Sequence, residues 1–308
     1  MTNPVATATP GAMTATPPRL AFPAMIIGSA ALAFGPWMVR LADVDPAASA
    51  FWRLALAVVP LLVLARVVAG STARLTAGLD RRTVALTALA GLFFAADLVL
   101  WHLGIVRTTL ANAALLSNAA SFLLPLWGFV VLRHRPGRRA LLAMALALAG
   151  TSLLVGESAG LAPQYLVGDL FCLAAALLYT GYLIVVDRVR GSVGPLPLLA
   201  VSSLAGAMAL LPLALASARF WPGDWTPLLA LAIGSQVIGQ GLIVYAVGHL
   251  SPLVVGLSLL VQPAVATAIG ALRFGEIPGP WAIGGALLVV VALVLVRLPE
   301  RKTTRRPE

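Results

Sequence analysis

Apolar runs of bilayer-crossing length recur from Ala21 to Val296, separated only by short breaks. Crossing the hydrocarbon core takes about 20 mostly apolar residues at a rise of ~1.5 Å each. In lipid every backbone polar group must be satisfied within its own segment, so runs of this kind fold as helices. Using Gly, Pro and charge as punctuation, the sequence predicts spans at 21–39, 47–69, 83–105, 109–132 and 139–156, then at 165–187, 195–217, 226–248, 252–272 and 280–297. Of the 308 residues, 60% are hydrophobic and 10% charged. Soluble domains carry about 25% charge, so a water-soluble fold is excluded.

The net charge of +10 does not point to nucleic acid. The basic residues sit in small groups between apolar runs, neither gathered on one face nor interleaved with stacking aromatics. Their distribution is a topology signal. Sixteen of the 21 Lys and Arg fall on one side: Arg19, the loop holding Arg66 to Arg82, the loop holding Arg133 to Arg139, Arg188 and Arg190, and the tail from Arg297. The other side holds only Arg40, Arg107, Arg219 and Arg273, while Arg53 lies within a span. The positive-inside rule then puts both termini in the cytoplasm of a bacterial inner membrane, with the protein multi-pass. Residues 1–20 read as a disordered cytoplasmic tail without the features of a signal peptide, and 299–308 as a basic cytoplasmic tail.

Two halves of the chain echo one another. Ser121-Phe-Leu-Leu-Pro125 in the fourth span precedes an apolar stretch, a basic turn and a Gly-containing helix. Leu259-Leu-Val-Gln-Pro263 in the ninth precedes an apolar stretch, Arg273-Phe-Gly-Glu276 and Trp281-Ala-Ile-Gly-Gly285. Five spans per half is an odd number, so the second half enters the membrane from the opposite side. The expected fold is all-α integral membrane, with ten transmembrane helices as two inverted five-helix repeats, 21–157 and 158–298, around a central cavity.

With Phe51-Trp52-Arg53 opening the second span, Gly168-Asp169-Leu170 opening the sixth, and Gly275-Glu276 before the last helix, residues 21–298 resemble the EamA-type drug/metabolite transporter superfamily. The resemblance implies export of small metabolites, often amino acids or xenobiotics, through a central cavity by alternating access. Where that pattern has Glu after the fourth span, this chain has Arg135.

An ionised group in the hydrocarbon costs about 2.5–3.5 kcal/mol or more, so each one in a span needs a reason. Arg53 and Asp97 both lie about 22 residues from the centre of the loop between their spans, and at ~1.5 Å per residue they reach the same depth. They are expected to form an ion pair, either structural or one in which Asp97 takes a proton or a substrate ammonium. Polar residues cluster in three further spans: Asn112, Ser117, Asn118 and Ser121; Ser235, Gln236 and Gln240; Ser258 and Gln262. These can bond substrate or, equally, one another across helices. Trp37, Trp101, Tyr179, Tyr182 and Tyr245 are available to hold an apolar substrate body. Such a site suits a neutral or zwitterionic amphipathic molecule. Pro125 and Pro263, repeated in equivalent helices, are candidate hinges, and Gly35-Pro36, Pro60 and Pro212 are further kink points.

The lone Cys172 excludes an intrachain disulfide or a cysteine-based metal cluster, and the three His show no ligand spacing, so neither metal nor cofactor is expected. No Walker P-loop is present. Gly256-Leu-Ser258-Leu lacks the second Gly of a nucleophile elbow, which disfavours an intramembrane enzyme. The expected function is a secondary transporter exporting a small amphipathic metabolite, an amino acid or related compound or a xenobiotic. An intramembrane enzyme and a non-transporting membrane scaffold are the alternatives. Its partners are then the small-molecule substrate and the lipid bilayer. The sequence leaves the oligomeric state open, a monomer being sufficient.

Overall fold

The computed structural model describes residues 19–71, 80–108, 113, 116–131, 133, 136–156, 163–274 and 279–297. Among the described residues the regular structure is all helical: α1 Ala21–Leu32, α2 Gly35–Leu41, α3 Pro46–Ala69, α4 Arg81–Ile105, α5 Ala120–Val130, α6 Arg138–Gly156, a short 3-10 turn at Pro163–Tyr165, α7 Leu166–Val189, α8 Pro195–Leu215, α9 Thr226–Ala230, a π-helix at Leu231–Gln240, α10 Gly241–Val247, α11 Pro252–Leu259, α12 Val261–Phe274 and α13 Pro280–Arg297. Six of these stretches are long and apolar enough to cross a bilayer: Ala21–Leu41, Pro46–Ala69, Arg81–Ile105, Pro163–Val189, Pro195–Leu215 and Thr226–Val247. Three shorter apolar helices accompany them, Ala120–Val130, Pro252–Ala266 and Ile283–Val296. The protein is a multi-pass, membrane-embedded helical bundle.

Local chemistry sets the ends. Pro46, Pro195 and Pro252 open their helices, where a missing N–H costs nothing. The Asp80 carboxylate caps α4 by accepting from the Thr83 N–H at 2.8 Å. Gly70 closes α3 in the left-handed region at φ 69°, a conformation a side chain would strain.

The side chains are distributed as in a lipid-facing bundle. Val59, Val63, Val67 and Val68 on α3 and Leu287, Val290 and Val294 on α13 are exposed, which in water would be an aggregation surface. The inward positions are small. Gly91 meets the Ser202 backbone, Gly104 the Cys172 thiol, and Gly150 the Gly285 carbonyl, so α4, α7, α8, α6 and α13 approach backbone to backbone. Cys172 is free and buried, as its place in an apolar run suggests.

Among the described residues four spans depart from single unbroken helices, one of them the fourth, which turns at Asn118-Ala119 just ahead of α5. The first breaks between Leu32 and Gly35, ahead of Pro36, and the ninth breaks at Leu260, ahead of Pro263. A proline cannot bond to the carbonyl four residues earlier, which is residue 32 in one case and 259 in the other. The eighth changes winding from α to π over Leu231–Gln240 and back. Pro125 and Pro60, by contrast, sit inside continuous helices. Residues 1–18, Asn112, Arg135, Gly275-Glu276 and the 299–308 tail lie outside the described residues.

Candidate functional site

A cavity of about 70 Å³ lies between α1, α3, α4, the segment leading into α5, α7, the π-helix and the ninth span. Eight residues singled out in the sequence line it: Arg53, Asp97, Trp101, Ser117, Asn118, Tyr179, Gln240 and Gln262. The apolar wall is Leu32, Phe94, Leu98 and Leu259. The sequence carried no signal for these four, because an apolar residue in an apolar helix looks the same whether it faces lipid, core or cavity.

Arg53 is only 2% exposed. Its guanidinium carbon lies 5.7 Å from the Phe94 ring centre and 5.8 Å from that of Trp101, within cation–π range. Its Nε donates to Gln236 Oε1 at 3.3 Å, and Gln236 Nε2 in turn donates to Ser203 Oγ at 3.1 Å. That relay joins α3, the π-helix and α8 behind the cavity. Asp97, 8% exposed, shares the cavity with Arg53, and the two charges act on each other electrostatically. The hydrogen bond from Arg53 Nε, however, goes to the neutral amide.

Elsewhere in the lining the Tyr179 hydroxyl donates to Gln240 Oε1 at 3.4 Å. Gln240 Nε2 is buried with no hydrogen-bond partner among the described residues. An unpaired buried donor beside a cavity is a place for a ligand or water acceptor. Tyr179 stacks on Tyr182, which stacks on Phe94 with ring centres 4.7 Å apart. The aromatic wall is thus two layers deep.

Six other candidates stand elsewhere. Tyr182 is fully buried as the second layer, and Gln236 is fully buried in the Arg53 relay. Ser121 and Ser258 are fully buried in the crossing of α5 and α11, where Gly256 brings its backbone onto the Ser121 carbonyl and the Pro125 ring. Tyr245 meets His249 edge-on at 5.2 Å, away from the cavity. Trp37 lies on α2, half-buried and outside the lining. Pro263 is buried next to the lining residue Gln262. No cluster of three or more His, Cys, Asp or Glu suited to a metal occurs among the described residues.

Chemically, the cavity offers a carboxylate, a fixed guanidinium, three amides and two hydroxyls against aromatic and aliphatic walls. Such a lining suits a small molecule with an apolar body and polar ends.

The sequence profile of the EamA-like transporter family matches this chain twice, at residues 19–156 and 166–298. No curated protein sequence matches significantly. Among solved structures, a crystal structure described only as that of a protein aligns with a TM-score of 0.73 over 90% of this chain and 96% of its own, at 20% identity. That likeness speaks to the fold alone.

Proposed function

Because the chain belongs to the EamA-like transporter family, we propose that it is a secondary transporter exporting a small amphipathic metabolite, an amino acid or related compound or a xenobiotic, by alternating access. The observation that carries this reading is that both matched halves build one cavity. Arg53, Asp97, Trp101 and Asn118 come from the first, and Tyr179, Gln240 and Gln262 from the second. A site at the seam of two repeats changes its access when the repeats rock.

In this reading the chain crosses a bacterial inner membrane ten times, as two inverted halves with both termini cytoplasmic. A pair of arginines supports the inversion. Arg40, at the end of the first span, donates to the carbonyls of Ile105 and Thr108 where the third span ends, both at 3.2 Å. Arg190, at the end of the sixth, donates to the Val244 carbonyl near the end of the eighth at 2.8 Å. Each caps a helix C-terminus, where a cation is favoured. The same device at equivalent places in the two halves is what a duplicated unit would carry.

Ligand pockets usually run to about 300 Å³ or more, so the cavity of about 70 Å³ must widen to hold an amino acid. That fits a contracted stage of a transport cycle. The test is flux of amino acids, nucleosides, polyamines and cationic dyes through purified protein in liposomes. Transport of none of them, together with no rise in melting temperature on adding any, would refute the proposal.

A further inference from the structure

We propose that the loop Ala42–Asp45 of the first half and the loop 216–225 of the second form a latch that holds the protein closed on its external face. Asp43 and Asp45 are the groups that set how often it opens. This rests on the transporter reading above for which side of the membrane the loops face.

The two loops are far apart in sequence and joined by four hydrogen bonds, with a fifth to the second loop from α3. Asp45 N–H donates to the Arg219 carbonyl at 3.0 Å, and Arg219 N–H returns a bond to Asp45 Oδ2 at 3.1 Å. Asp43 Oδ2 accepts from the N–H groups of Gly223 at 2.7 Å and Asp224 at 3.3 Å. Trp52 Nε1 donates to the Phe220 carbonyl at 2.8 Å. A Cβ on Gly223 would lie 2.8 Å from Asp43 Oδ2, so a side chain there would push that carboxylate aside. Around these bonds Phe51 and Trp52 of α3 pack with Phe220, Trp221 and Trp225 of the second half, Trp52 lying 5.0 Å from Trp225 and 5.1 Å from Phe220 between ring centres.

Three features mark this as a reversible contact and not a permanent joint. The bonds to the two carboxylates are solvent-exposed, so breaking them exchanges protein partners for water at modest cost. The ring cluster is open at its edge, with Trp221 69% exposed. Its position is also decisive, since Trp52 immediately precedes the cavity residue Arg53. Any separation of the halves at this end must part these loops. The first-half side is held firm because Arg40 ties the end of α2 to the end of α4, so the movable arm is the loop of the second half.

The experiment reads access to the cavity and needs no substrate. In a Cys172→Ser background, Leu259→Cys places a reporter on the cavity wall, and a membrane-impermeant maleimide is applied to right-side-out and inside-out vesicles. Asp43→Asn with Asp45→Asn should raise the labelling rate from outside by roughly tenfold, the scale set by losing one or two exposed charge-assisted hydrogen bonds. Asp43→Cys with Gly223→Cys, oxidised to a disulfide, should suppress outside labelling at position 259, read by peptide mass spectrometry because the reduced pair itself reacts with the maleimide, with recovery at position 259 on reduction. This second arm judges the proposal even if the double Asn variant misfolds. Outside labelling unaffected by the disulfide, or a response confined to inside-out vesicles, overturns the latch. Lack of flux in liposomes would sink the transporter reading and leave the labelling result to stand by itself.

Discussion

Arg53 and Gln236 meet across the bundle, guanidinium Nε to amide Oε1 at 3.3 Å, while Asp97 faces the same cavity without holding that bond. The arrangement fixes the cation through a neutral partner and two aromatic faces. It keeps the Asp97 carboxylate at the cavity wall, in electrostatic interaction with that cation.

Replacing Asp97 with Asn therefore separates structure from mechanism. If the carboxylate works in the cycle, Asp97→Asn should lose transport by at least about a hundredfold, the scale of one acid–base group, while the purified protein still elutes and melts as wild type. Full flux in liposomes would reduce Asp97 to a structural counter-charge.

Gln236→Leu should cost stability because it strips an acceptor from buried Arg53 and a donor from Ser203 Oγ. Leaving such groups unpaired costs about 1–3 kcal/mol each. Thermal unfolding in detergent should show a clear drop, and Gln236→Glu, which keeps an acceptor for Arg53, should recover part of it.

Gly91→Ala should destabilise by about 1–3 kcal/mol, as overpacking does, because its Cβ would run into the Ser202 backbone. Gly234→Ala is the control, having nothing within 4 Å of the added carbon. Equal melting temperatures for the two variants would contradict the close crossing of α4 and α8.

The cap on α4 should show a pH signature. Hydrogen bonds from Thr83 hold the Asp80 carboxyl below its usual range. A carboxyl lowered on folding adds stability above its unfolded value, near pH 4, and that stability is lost as pH falls through the folded value. Asp80→Ala should thus melt below wild type at neutral pH, and the two curves should converge in acid.

Tags at residue 1 and residue 308 should be found on the same side of the membrane. Opposite sides would require an odd number of spans and would dismantle the inverted-halves proposal.

Most helix positions were legible in the sequence because a segment in lipid must be apolar along its whole length and satisfy its own backbone. The expected spans at 47–69, 83–105 and 195–217 became Pro46–Ala69, Arg81–Ile105 and Pro195–Leu215. Of the expected kink points, Gly35-Pro36 and Pro263 lie beside helix breaks, while Pro60, Pro125 and Pro212 sit inside continuous helices. The π winding at Leu231–Gln240 had no such marker.

Membership of the cavity divided differently. Polar and charged residues could be shortlisted from their cost in hydrocarbon, and Arg53, Asp97, Trp101, Asn118, Tyr179, Gln240 and Gln262 do line it. Tyr182, Gln236, Ser121, Ser258, Tyr245 and Trp37 looked the same in the sequence and lie elsewhere. Helices in lipid are apolar on every side, so no hydrophobic stripe tells which face turns inward. By itself the sequence determined that the chain threads a membrane as helices, and which side chains are costly enough there to demand partners. Only the packed bundle decided which of them face the cavity, which hold Arg53, and which two distant loops meet over Trp52, because helix rotation and crossing are set by contacts between segments, at glycines such as Gly91 and Gly256.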